Sequence, residues 1–141
     1  MNKIFLVVTA IFFANSLSAA TFEVEMLNRL GKESMVYSQS VVNIQSGDTV
    51  KWLATTKGHN VQFLSVPEGV GAFRSKLNVD TEYTFTVPGI YLYQCTPHKN
   101  MGMIAIVVVD GNKDNLNAIT SARVAGKSKK RLAKIIETLS S

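Results

Sequence analysis

Between residues 21 and 109, apolar positions recur with a period of two in short runs separated by Gly, Pro, Asn, Asp and Ser. Successive side chains of an extended chain point to opposite sides, so this pattern predicts strands with one face in a core. Phe22-Glu23-Val24-Glu25-Met26 alternates apolar with charged. Val41-Val42-Asn43-Ile44 leads through the turn Gln45-Ser46-Gly47-Asp48 into Thr49-Val50-Lys51-Trp52-Leu53, with Val50 and Trp52 on one face. Asn60 to Leu64, Glu82 to Val87 and Ile90 to Gln94 read the same way, and the last two flank Pro88-Gly89, an ordinary hairpin signal. Met103-Ile104-Ala105-Ile106-Val107-Val108-Val109 is continuously apolar and reads as a buried strand. About eight short strands so spaced predict a mainly β antiparallel sandwich or barrel.

After Asp110-Gly111 the period changes. Asp114 to Arg123 is a modest helix candidate. Ser128 to Leu139 sets Leu132, Ile135, Ile136 and Leu139 on one stripe, with Lys129, Lys130, Arg131 and Lys134 largely opposite. The stripe is short and lacks aromatics, which favours a helix packed on a sheet over a membrane-surface or nucleic-acid role.

The chain's start changes the compartment. Met1 to Ala20 carries one Lys3, an apolar run from Ile4 to Ala14 and the small residues Ser18-Ala19-Ala20, which is a secretory signal pattern. Cleavage is expected after Ala20, with a cut after Ala19 as the alternative. The apolar run is too short for a comfortable membrane span. Residues 21–141 then form one exported soluble domain, of which 112–141 is a helical C-terminal extension. The formal charge of the 141 residues is +5, mildly basic, and falls by one without Lys3.

A single cysteine in an oxidising compartment rules out an internal disulfide framework, so the thiol needs another justification. Cys95-Thr96-Pro97-His98-Lys99-Asn100-Met101-Gly102-Met103 places that cysteine beside one of the two histidines and two of the five methionines. His59 lies upstream in Lys57-Gly58-His59-Asn60. Two imidazoles and a thiolate with a weak thioether suit copper in an electron-transfer site, because this mixed set serves Cu(I) and Cu(II) comparably and little has to move. Both Met101 and Met103 have workable spacing from His98. Met103 is favoured, since it opens a buried strand while Met101 sits beside Gly102 on an exposed tip. Structural zinc wants four strong ligands, and only three Cys and His candidates exist. A Cys-His nucleophile would leave His59 and the methionines without a role.

The segment Phe22 to Asn28, Gly47-Asp48-Thr49-Val50, Lys57-Gly58-His59-Asn60-Val61 and above all Cys95-Thr96-Pro97-His98 followed by Met101-Gly102-Met103 resemble the pseudoazurins, bacterial blue-copper cupredoxins. The resemblance runs nearly end to end and includes the two C-terminal helices. It implies a cupredoxin-like Greek-key sandwich and one type 1 copper held by His59, Cys95, His98 and Met103. It further implies that Asn60 ties the His59 strand to the Cys95 loop and places a backbone donor near the sulfur, and that Met35 lies near the exposed His ring without being a ligand.

Function by resemblance is soluble electron shuttling in the periplasm rather than catalysis. The partners implied are an acidic-surfaced acceptor such as nitrite reductase, in denitrification, and a cytochrome c-type donor, with the carrier a monomer. The His98 edge would be the exit, near Pro97, Met101 and Val70, inside a cationic rim of Lys57, Lys76, Lys99 and Arg29. Gln94 stands where the family often has a lysine, which weakens that rim. The alternative from another class is a periplasmic copper-binding or delivery protein.

Overall fold

The computed structural model describes residues 17–141, so most of the expected signal segment, residues 1–16, lies outside the described residues. Among the described residues, eight strands form two four-stranded sheets. The first has the order β2 (Glu33–Tyr37), β1 (Thr21–Leu30), β4 (Thr49–Leu53), β6 (Thr81–Thr84). The second has the order β3 (Val41–Ile44), β8 (Ile104–Val109), β7 (Gly89–Gln94), β5 (Gln62–Ser65). Two helices follow, α1 (Leu116–Thr120) and α2 (Lys127–Ser140).

The two sheets close on a core in which Val24, Met26, Val50, Trp52, Phe85, Tyr91 and Tyr93 are fully buried. Trp52 packs edge-on to Tyr93 at 5.2 Å, and Tyr93 in turn meets Tyr37 at 4.8 Å. The outer face of the second sheet is covered by the helices. Ile90, Leu92, Ile104, Ile106 and Val108 pack there against Ile119, Leu132, Ile135 and Leu139. Strands β7 and β8 are therefore buried on both faces, which is why Ile104 to Val109 is apolar without alternation. Asn115 fastens α1 to β7 through both ends of its amide: Oδ1 accepts from Ile90 N–H at 2.9 Å and Nδ2 donates to Ile90 O at 2.8 Å.

Two expectations are corrected. The sandwich is mixed rather than antiparallel, since β1 pairs β4 and β3 pairs β8 in parallel. Pro88-Gly89 does not close a hairpin, because β6 and β7 belong to different sheets. Gly89 has φ +135°, and a Cβ there would lie 2.5 Å from Pro67, so the glycine serves a crossing between sheets at a crowded corner. Element bounds also shift. The strand read over Phe22 to Met26 runs from Thr21 to Leu30, and the helix read over Asp114 to Arg123 shrinks to Leu116–Thr120.

Ile135 is 3% exposed between α2 and β8. Ile135→Ala is expected to cost about 2–5 kcal/mol in chemical denaturation, with the larger values if the space does not collapse. A loss below 0.5 kcal/mol, on the order of a surface change, would mean that α2 is not docked as described.

Candidate metal centre

Cys95 directly follows β7, and its N–H donates to Met103 O at 3.0 Å, extending the β7–β8 pairing by one step. The segment between them is wound into consecutive turns: His98 N–H donates to Cys95 O at 3.2 Å and Met101 N–H to His98 O at 2.9 Å. His59 arrives from between β4 and β5. Gly58, at φ +96°, makes the bend that presents it, and Asn78 holds that bend by accepting from Gly58 N–H and donating to His59 O.

The structure brings His59, Cys95 and His98 together, with their ligand atoms all within 4.8 Å of one another. Cys95 Sγ lies 3.7 Å from His59 Nδ1 and 3.4 Å from His98 Nδ1. Such separations can be bridged by one ion with donor bonds of about 2.0–2.3 Å. No second group of this kind occurs among the described residues. Met103 is fully buried at the end of the same loop, whereas Met101 is 42% exposed.

The surroundings fix the orientation of each donor. His59 Nε2–H donates to Asn28 Oδ1 at 2.8 Å, which leaves the Nδ1 lone pair facing the thiol. Asn60, 1% exposed, accepts from Thr96 N–H at 2.9 Å and Thr96 Oγ1 at 3.1 Å, and its own carbonyl accepts from Tyr37 OH at 2.7 Å. Asn60 thus joins the His59 segment to the Cys95 loop, and its backbone N–H lies close enough to the sulfur to favour the thiolate. Met35 packs against the core from β2 with φ 53°.

Helix α2 holds the far side of the loop. Lys127 N–H donates to Asn100 O at 2.9 Å, and the fully buried Ser128 Oγ donates to Lys99 O at 2.6 Å. Gly126 makes this approach possible, since a Cβ there would sit 2.3 Å from Asn100 O. Sequence reasoning gave no role to Asn28, Gly126 or Ser128. Both the Asn28–His59 bond and the helix clasp are tertiary contacts with no local sequence pattern.

Burial pushes the Cys95 thiol up, and the backbone N–H groups of Asn60 and His98 pull it partly back. Burial lowers His59, with His98 adding to the effect, and burial also lowers His98. The metal-free site is accordingly two neutral imidazoles and a thiol, and binding a cation has to release the thiol proton. Two nitrogens, one sulfur and a neighbouring thioether fit copper, and the absence of a fourth strong donor from the cluster disfavours structural zinc.

A lowered imidazole pKa in the fold means that protonation favours the unfolded chain. That contribution to stability is complete above the ordinary value of 6.5 and is lost as pH falls through the depressed folded values. The metal-free protein is expected to show a falling urea midpoint below about pH 6.5. His59→Gln should flatten the profile, and a midpoint unchanged down to about pH 5 would contradict neutral burial of the pair.

Residues 24–110 match the family model of copper binding proteins of the plastocyanin/azurin family. The chain is 40% identical over 131 residues to a putative pseudoazurin of Rhizobium leguminosarum bv. viciae, across 90% of this chain and 86% of the relative. It is 40% identical over 116 residues to the pseudoazurin of Paracoccus pantotrophus, across 81% and 80%. A solved pseudoazurin structure from Sinorhizobium meliloti superposes with a TM-score of 0.82 at 38% identity, covering 86% of this chain and 98% of that one. These proteins are electron carriers rather than enzymes, and copper is their metal. With the sandwich, the paired C-terminal helices and the His-Cys-His cluster in place, the chain belongs to the copper-binding plastocyanin/azurin family and, within it, to the pseudoazurins.

Proposed function

We propose that this chain carries single electrons in the periplasm, with His59, Cys95, His98 and Met103 holding one type 1 copper. The observation that carries this reading is the convergence of one thiol and two Nδ1 atoms at the end of a rigid sandwich, with the buried Met103 closing the loop. Copper, when bound, supplies a one-electron couple. The chain's own residues keep the donors in place in both oxidation states: Asn28 sets the His59 ring, Asn60 ties the two ligand segments, and α2 clasps the loop.

His98 is half-buried while His59 is fully buried, so the His98 edge is the way out for the electron. Pro97 and Met101 on the same loop are exposed, and Val70 is half-buried. The exposed Lys57, Lys76, Lys99 and Arg29 supply a cationic rim that steers an acidic acceptor such as nitrite reductase and gives brief, salt-sensitive encounters. A cytochrome c-type donor fits the same face. Delivery of copper to an acceptor is the weaker reading, because handoff needs exposed, exchangeable donors and Cys95, His59 and Met103 are fully buried.

Export is supported by the leader pattern, and no helix among the described residues is long and apolar enough to cross a membrane. Ala20 N–H donates to the buried Asp48 carboxylate at 2.7 Å, and Ala20 O accepts from Thr49 N–H at 2.9 Å. These bonds favour a mature chain that retains Ala20, with its new ammonium on Asp48, and hence the cut after Ala19.

Cu(II)-loaded protein is expected to be intensely blue from thiolate charge transfer, and Cys95→Ser should abolish the band. A colourless wild-type copper complex would defeat the assignment. Met103→Leu should change the spectrum and raise the reduction potential, while Met101→Leu should leave both nearly unchanged; the reverse pattern would move the weak ligand to Met101.

A further inference from the structure

A trough of about 630 Å³ runs between β2 and α2, away from the cluster but ending at its loop. Lys32, Lys127, Lys130, Arg131 and Lys134 line it, and Glu33 is its one acid. The whole chain has 15 basic and 10 acidic residues, and this one feature, with five basic residues to one acidic, holds most of the formal +5. Glu33 pairs with Arg131, the one ion pair among the described residues, which leaves four cations in the trough without an acidic partner.

Folding does not account for this placement. Four of the first five residues of α2 are Lys or Arg, the first turn has no acid, and the helix dipole is positive at that end. Positions 127, 130, 131 and 134 fall on one helical face and extend over about 10 Å. Between these cations the lining mixes hydroxyls, Ser34, Ser38, Ser40 and Thr138, with apolar surface from Leu30 at 48% and Met101 at 42% exposure beside Val36 and Ile135. A second copy of the chain would bring like charge to like.

We propose that this trough is a second docking site, beside the His98 face, for an acidic extended segment of a partner polypeptide. It rests on the reading of the chain as a carrier that docks partners. An extended segment covers about 3.3 Å per residue, so three or four residues span the helical cations, with carboxylates meeting them and intervening apolar side chains meeting Leu30 and Met101. A concave groove favours such a segment over a flat bilayer, and cations spread over about two helical turns favour it over a small inorganic anion. Met101 belongs both to the trough and to the ligand loop, so a segment seated here lies alongside the electron exit.

The test uses ¹⁵N-labelled, copper(I)-loaded protein and a synthetic peptide of alternating Glu and Leu, with inorganic phosphate and anionic phosphatidylglycerol vesicles as separate probes. The peptide is expected to shift amides of residues 32–38 and 127–134, with affinity falling steeply as salt rises from about 0.05 to about 0.5 M. Lys130→Glu should weaken binding about tenfold, whereas Lys129→Glu, on the same helix but outside the trough, should weaken it by about twofold at most. Equal loss in both variants, the same shifts produced by phosphate alone, or vesicle binding without peptide binding would each overturn the proposal. The blue band of the oxidised variants is recorded in the same preparations, so a defect of the copper site is distinguished from loss of docking.

Discussion

Asn60 holds a position on which the rest of the site depends. Its side-chain oxygen takes two hydrogen bonds from Thr96, and its main-chain oxygen takes one from Tyr37. The residue is almost wholly buried, so drawing the His59 segment away from the Cys95 loop would strand several polar groups without water. Such a penalty keeps the two ligand segments in register whether or not a cation is present. The charge on the metal is then free to change while the frame around it stays still.

The frame itself is a consequence of layering. Strands β7 and β8 are covered on both faces, by the first sheet on one side and by the helices on the other. Cys95 leaves the end of β7 and Met103 leads into β8, so the loop is anchored at both ends in the most buried part of the molecule. His98 alone among the cluster reaches solvent in part, and it does so between turns pinned at either end. Rigidity and access are thereby divided between different residues, as single-electron exchange with a transient partner requires.

Much of this was legible in the residues. Strict alternation in Phe22 to Met26 and in Thr49 to Leu53 announced strands of the first sheet, and the unbroken apolar run of β8 announced a strand with no solvent face. The Cys95–Met103 loop disclosed the chemistry because its donors are close in sequence. Strand direction was not legible: whether two short runs pair in parallel depends on the connections between them, and Pro88-Gly89 looks the same at a hairpin as at a crossing between sheets. Strand β2 was missed because Glu33-Ser34-Met35-Val36-Tyr37 breaks alternation at its core end, where Val36 and Tyr37 are both buried. Asn28 as a partner of His59 required a contact across 31 positions of sequence, which no local pattern encodes.

The approach of Gly126 to Asn100 bears on how the chain can vary. With no room for even a methyl group between them, the ligand loop and the start of the last helix are fitted to one another as a single joint. A change in loop length around Lys99 to Gly102 would leave the carbonyls of Lys99 and Asn100 displaced from Ser128 and Lys127, and a side chain at 126 would push the loop outward. Grafting a shorter or longer loop onto this scaffold therefore demands a matching redesign some two dozen residues downstream, so that in this molecule the terminal helix and the ligand loop have to evolve together.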